Sequence, residues 1–176
     1  GVELLRQAPT PAKVKKKFKG APLTPEQERM RRIHTHLMDI RTYVNSVILE
    51  RESETDSALL SIMSGASCFY LGDAGAGKTK HVRVICELMD LVLFDILMSE
   101  TTKPESVFGP IDVPALATGV QRVKTEGYAP TADVCFYDEI FKASDIVLNP
   151  LLWVLNEGLF RNGDEGMQQC PTLTRS

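Results

Sequence analysis

A glycine-rich segment near the middle of the 176-residue chain limits the possible folds more than any other part of the sequence. It matches G-x-x-x-x-G-K-[ST] in full, and its residues are Gly72, Asp73, Ala74, Gly75, Ala76, Gly77, Lys78 and Thr79. A short apolar stretch, Cys68–Leu71, precedes it, and helical spacing follows from Lys78 to about Asp90. Glycines let the backbone turn tightly and direct several N–H groups at phosphate oxygens. We therefore predict a strand, a phosphate-binding loop and a helix in succession.

The side chains that end this segment have the chemistry of nucleotide binding. The positive N-terminal end of the predicted helix attracts phosphate. Lys78 can reach the β- and γ-phosphates as a point charge, and Lys80 adds a second cation beside the loop. The Thr79 hydroxyl can be one ligand of Mg²⁺. We therefore assign Gly72 to Lys80 to nucleotide binding.

A second motif consists of an apolar strand that ends in two acids. Residues 133–137 are predicted to form this strand, and Asp138 and Glu139 follow it. The carboxyl ends of the strands in an open α/β sheet are where ligands bind. Asp138 is placed to hold Mg²⁺ through water, and Glu139 to polarise the water that attacks the γ-phosphate. No Asn-Lys-x-Asp guanine-reading box is present, so we predict ATP rather than GTP as the nucleotide.

The remaining pattern predicts an α/β fold with a mostly parallel sheet, because helices and strands alternate. We expect a helix over 25 to about 50, which begins with a capping box of Thr24 and Gln27, and one over 56–64, which ends at Gly65. A further helix is expected over 144–157, either beginning at Pro150 or kinked there, and a second strand over 91–98. Residues 104–130 are expected to be irregular. The predicted organisation is a basic, proline-rich arm (1–24), an N-terminal helix (25–55) and a partial nucleotide-binding core (56–176).

Charge is distributed unevenly along the chain. Residues 1–32 contain nine Lys or Arg against three acids, whereas residues 33–176 contain eleven against twenty. A globally basic nucleic-acid binder is therefore disfavoured, although the basic arm leaves open a contact with nucleic acid or an acidic partner. The richest apolar run is broken by Asp90 and Asp95, so no membrane span is expected. Four dispersed cysteines without a C-x-x-C pair favour free thiols in a reducing compartment, and hence the cytoplasm.

Six further segments match a known family: Leu49–Glu52, Leu59–Gly65, Pro104–Pro110, Gly127–Pro130, Asp138–Ala143 and Leu155–Gly163. The phosphate loop is shared with a vast superfamily, whereas Phe108–Pro110, Asp138–Ala143 and Phe160–Gly163 are far more specific. With these segments, residues 48–163 resemble the MoxR-type AAA+ ATPases, and the RavA-like subgroup in particular.

The resemblance implies a P-loop NTPase core that hydrolyses ATP with Mg²⁺ and forms a ring, usually a hexamer, which remodels a protein client. It also implies that Glu50 and Arg51 lie near the adenine and that residues 111–126 face the ring pore or a client. Many relatives work with a partner that carries a von Willebrand factor A domain.

The sequence also departs from the family pattern. Asp73 and Ala74 replace the more usual Pro-Pro of the loop, and the basic arm has no counterpart in the family. The expected sensor asparagine, arginine finger and C-terminal helical lid cannot be assigned before Ser176, so we expect the lid to be absent from this chain. Two alternatives stay open: a nucleic-acid-handling P-loop motor that uses the basic arm, and a catalytically silent ring subunit.

Overall fold

The computed structural model of the protein describes residues 23–70 and 77–171. The chain divides after Thr35 into two units, and the first is described from residue 23 onward. In the described residues the helices and strands are α1 (Pro25–Val47), α2 (Glu52–Ser64), α3 (Lys78–Leu88), β1 (Leu93–Leu97), α4 (Pro104–Phe108), α5 (Val113–Ala117), β2 (Val134–Asp138), α6 (Asp145–Glu157), β3 (Leu159–Arg161) and β4 (Met167–Gln169). Most of the predicted basic arm and the loop residues Gly72 to Ala76 lie outside the described residues.

Strands β1 and β2 form a parallel pair, with Leu93 opposite Val134 and Leu97 opposite Asp138. Successive side chains of a strand point to opposite faces of the sheet. Accordingly, Val134 packs into one hydrophobic core and Cys135 against another. The prediction of a mixed α/β fold with parallel strands is confirmed for this pair.

One hydrophobic core lies on each face of the β1–β2 pair. The first is built by α1, α2, α3 and β2, and its buried residues are Ile40, Val44, Ala58, Leu59, Ile62, Val82, Ile85, Cys86 and Val134. The second is built mainly by α4 and α6, and its buried residues are Met98, Val107, Phe108, Ala129, Ala143, Val147, Leu151, Val154 and Cys170. The strands are therefore covered on both faces, as expected of parallel strands.

The predicted start of α1 is confirmed by its capping box. The backbone N–H of Gln27 donates to Thr24 Oγ1 at 3.3 Å, and the backbone N–H of Thr24 donates to Gln27 Oε1 at 3.0 Å. The predicted end near Glu50 is too late, because α1 ends at Val47. The next helix begins at Glu52 rather than residue 56, and it ends at Gly65 with φ 70°, as predicted.

The predicted strand at Cys68–Leu71 is wrong over residues 68–70, which have no regular secondary structure, and Leu71 lies outside the described residues. A strand requires a neighbour to accept and donate its ladder hydrogen bonds. Within the part of the chain that the structure describes, β2 pairs with β1 alone. Within the described ranges, residues 68–70 therefore have the composition of a strand but no neighbouring strand to pair with.

Residues 104–130 contain more structure than predicted. Helices α4 and α5 form there, Ile111 bridges Val123 in antiparallel fashion, and Asp112 accepts from the N–H of Ala115 at the start of α5. Asp112 also accepts from Arg122 Nε at 2.9 Å. Residues 111–126 therefore form a folded segment, which we call the insertion.

The insertion is joined to the β3–β4 hairpin, which the sequence analysis did not predict. The N–H of Val123 donates to Asn162 Oδ1 at 2.8 Å, and Asn162 Nδ2 donates to the carbonyl of Val123 at 3.3 Å. Arg122 pairs with Glu165 on the same hairpin. Because Asn162 is buried, these bonds fix the position of the insertion relative to the hairpin.

Helix α6 begins at Asp145 with Ser144 at its N-cap position and continues through Pro150. The alternative start at Pro150 is therefore wrong.

Asp95 is the acidic residue of strand β1. It accepts a hydrogen bond from Arg83 Nη2 of α3 at 2.5 Å. Among the helices of the described ranges, none has the length and apolar character needed to cross a membrane.

Candidate functional site

The predicted phosphate-binding segment is described only from Gly77 onward. Gly77 has φ 75° and ψ 14°, a left-handed conformation that glycine adopts without strain. Its carbonyl accepts from the N–H of His81 at 3.0 Å, so α3 begins at Lys78. The predicted loop-to-helix transition is thus confirmed at this position, and it puts Lys78 at the positive end of α3.

The predicted acidic pair lies at the carboxyl end of β2. Asp138 is the last residue of the strand, and its carbonyl accepts from the N–H of Met98 at 2.8 Å. Glu139 follows with φ 54° and ψ 39°, which is left-handed for a residue with a side chain. The backbone therefore leaves the strand direction at Glu139 and continues into a single 3-10 turn, Ile140–Lys142.

A cavity of about 330 Å³ brings the two motifs together. Lys78, Asp138 and Glu139 all line it, although Lys78 precedes the two acids by 60 residues or more in sequence. Much of the remaining lining is apolar or aromatic, including Ala58, Ile62, Phe69, Val82, Phe136 and Leu155. A cation and two carboxylates at one apolar cavity suit the binding of a charged ligand, because electrostatic interactions are stronger where water is excluded.

Gly77 and four other predicted site residues among those that the structure describes do not line this cavity. Thr79 is half-buried in the first turn of α3, and Lys80 beside it is exposed. Glu50 is exposed with φ 60°, and Arg51 pairs with Glu54 at 3.3 Å. The assignment of Thr79 to metal, and of Lys80, Glu50 and Arg51 to nucleotide, stays a prediction.

A buried polar network that was not predicted from the sequence contacts His81 of α3. Thr55 Oγ1 lies 2.9 Å from His81 Nε2 and 2.8 Å from Asn45 Oδ1. It also lies 2.9 Å from the carbonyl of Arg51. Burial lowers the pKa of His81, and the nearby Arg51 lowers it further. The network therefore ties α3 to both preceding helices through a neutral imidazole.

A second missed residue, Lys142, lies beside the acidic pair. Its Nζ is 2.6 Å from Glu139 Oε2, and this hydrogen bond raises the pKa of Lys142. The signal in the sequence was the spacing of three residues between opposite charges, which brings side chains together on a helical turn. Glu139 is thus ion-paired in this structure.

Residues 35–175 match the family described as the MoxR domain in the MoxR-vWA-beta-propeller ternary systems. This match covers most of the chain, including both motifs. The chain belongs to the MoxR family. The predicted MoxR-type AAA+ resemblance is thereby confirmed.

Curated relatives of this MoxR-family chain occur in Methanocaldococcus jannaschii. The uncharacterized protein MJ0079 is 38% identical over 146 residues, covering 82% of this chain and 38% of the relative. The uncharacterized protein MJ0812 is 39% identical over 139 residues, covering 78% of this chain and 37% of the relative. The chain therefore spans less than two fifths of the length of these relatives.

A solved structure has the same fold over most of this MoxR-family chain. It is the crystal structure of a protein from Cytophaga hutchinsonii described as a candidate ATPase. The TM-score is 0.54 at 19% sequence identity, over 74% of this chain and 41% of that chain. The likeness shows that this chain shares its fold with part of that protein.

Proposed function

We propose that this protein is a Mg²⁺-dependent ATPase of the AAA+ class that uses ATP hydrolysis to remodel a protein client. The observation that carries the proposal is the presence of Lys78, Asp138 and Glu139 on one cavity, with Lys78 at the first residue of α3. Membership of the MoxR family supports the same activity. We also propose the RavA-like subgroup and a P-loop core, on the motifs quoted from the sequence.

In this proposal the phosphates of ATP bind the loop Gly72–Gly77, with Lys78 against the β- and γ-phosphates. Mg²⁺ fits the donor set, because the Thr79 hydroxyl and the Asp138 carboxylate supply the hard oxygen ligands that this ion prefers. When bound, the ion neutralises charge on the phosphates. Glu139 accepts a proton from the attacking water, and it lies at a cavity whose lining is largely apolar.

The wider biological setting is also part of the proposal. We propose a homo-oligomeric ring, a hexamer by analogy with the family, in which the insertion contacts a protein client. A partner with a von Willebrand factor A domain is supported by the ternary systems for which the matching family is named. All four cysteines lie in the described ranges as free thiols, which supports a reducing cytoplasm.

The test is nucleotide binding and hydrolysis by the full-length protein and two variants. Glu139→Gln is expected to bind ATP with unchanged affinity and to lose about 100-fold or more in turnover, the scale of general-base catalysis. Lys78→Ala is expected to weaken ATP binding itself. Lys103→Met, an exposed lysine outside the cavity, is the matched control.

Two results would contradict the proposal. Turnover at the wild-type rate in Glu139→Gln would show that Glu139 does not activate the water. Wild-type ATP affinity in Lys78→Ala would show that Lys78 does not bind the phosphates. Light scattering with ATP tests the ring separately. A strict monomer under those conditions would contradict the oligomeric part of the proposal.

A further inference from the structure

We propose that Lys142 is a positioning residue that restrains Glu139 in an inactive, ion-paired position, so that release of this pair limits basal turnover. The inference rests on the proposed function, because it concerns how the proposed water activator is controlled. It follows from the contacts of the 3-10 turn Ile140–Lys142, which carries both an ionic and an aromatic contact.

The ion pair is formed by the Glu139 carboxylate, which the proposed reaction needs as its proton acceptor. Lys142 Nζ lies 2.6 Å from Glu139 Oε2, a short charge-assisted distance. The backbone closes the same turn, since the N–H of Lys142 donates to the carbonyl of Glu139 at 2.8 Å. While the pair is formed, Oε2 accepts from the ammonium, and the position of the carboxylate is set by Lys142 rather than by an attacking water.

The restraint is weak enough to be reversed. The side chain of Lys142 is 64% exposed and that of Glu139 is 28% exposed. Exposed ion pairs are stabilised little, because water solvates both groups well once they separate. Lys142 can therefore leave Glu139 at small cost when the surroundings of the turn change.

An aromatic contact connects this turn to the segment that enters the phosphate loop. Phe141 stacks on Phe69, with ring centroids 6.2 Å apart and an interplanar angle of 14°. Both rings are largely exposed, and Phe69 lies three residues before Gly72. The turn that carries Lys142 is therefore in contact with the residues that precede the phosphate loop.

The experiment measures steady-state ATP hydrolysis by the full-length protein and its Lys142→Met variant. We expect kcat to rise about two- to fivefold, the range set by the stability of an exposed ion pair, with an unchanged KM for ATP. Lys142→Arg retains the charge and should restore kcat to near the wild-type value. Lys103→Met removes an exposed lysine elsewhere and should leave both constants unchanged.

The outcomes separate this inference from the proposed function. An unchanged kcat in Lys142→Met would show that Lys142 does not restrain Glu139. A reduced kcat would also contradict the inference, because it would show that Lys142 orients Glu139 for the reaction. A changed KM would show that Lys142 acts on nucleotide binding instead, which also contradicts the inference. If the wild type hydrolyses no ATP, or if Glu139→Gln is fully active, the proposed function itself fails.

Discussion

The hydroxyl oxygen of Thr55 lies 2.9 Å from Nε2 of His81, and both side chains are shielded from water. A threonine hydroxyl has one proton, and the carbonyl of Arg51 and Oδ1 of Asn45 are its acceptors within 2.9 Å. His81 therefore donates from Nε2 to Thr55 in the arrangement that satisfies the most groups. This contact links the helix that follows the phosphate loop to the helix before it.

Removal of the Thr55 hydroxyl is expected to destabilise the protein by about 1–3 kcal/mol, because the buried His81 and the half-buried Asn45 both lose this hydrogen-bond partner. Thr55→Val preserves the shape of the side chain, and urea unfolding measures the loss. Thr42→Val is the matched control, since the Thr42 hydroxyl is exposed and donates to the carbonyl of Met38. Equal losses in the two variants would contradict the energetic role of the buried network.

Stability is expected to fall as the pH decreases below about 6.5, the ordinary pKa of histidine. Burial, and then Arg51, lower the pKa of His81 in the folded protein, while Glu54 opposes them. Between the folded and unfolded pKa values, the unfolded chain therefore binds the extra proton, and stability decreases as pH falls through this window. Carboxyl groups titrate mainly at lower pH, so the effect is separable above about pH 5.5.

The measurement is the free energy of unfolding of the wild type and of His81→Gln between pH 5.5 and 7.5. Glutamine can still donate to Thr55 but does not titrate, so the variant should lose this pH dependence. His34→Gln, which changes an exposed histidine, should retain the wild-type profile. The interpretation fails if the wild type and His81→Gln have parallel profiles.

Features determined by a few adjacent residues could be predicted from the sequence. The capping box of Thr24 and Gln27, the helix end at Gly65 and the strand before Asp138 were predicted because each depends on neighbouring side chains. The joint location of Lys78 and Asp138 also followed, because both motifs are placed by a loop or strand end.

Features determined by distant partners could not be predicted in this way. Residues 68–70 have strand-like composition, but strand formation depends on a neighbouring strand rather than on the residues themselves. Asn162 gives no local sign that it bonds Val123, which lies 39 residues earlier. The burial of His81 likewise depends on two helices that precede the phosphate loop. Long-range pairing therefore accounts for most of the differences between sequence and structure.

Gly163 lies where the β3–β4 hairpin contacts the insertion, so its substitution tests this contact. Its φ is 52°, and a Cβ added there would lie 2.0 Å from the carbonyl oxygen of Gln121. Gly163→Ala is therefore expected to cost about 1–2 kcal/mol for the left-handed backbone, and about 1–3 kcal/mol more for the clash. Gly119→Ala is the matched control, because Gly119 also has positive φ but a Cβ there meets nothing within 4 Å.

Urea unfolding of both variants measures the difference, and hydrogen exchange locates it. The clash should push Gly163 away from Gln121 and weaken the bond between the Val123 N–H and the neighbouring Asn162. Exchange at Val123 should therefore accelerate in Gly163→Ala and stay near the wild-type rate in Gly119→Ala. Equal unfolding free energies in the two variants, with unchanged exchange at Val123, would show that the insertion is not held by this contact.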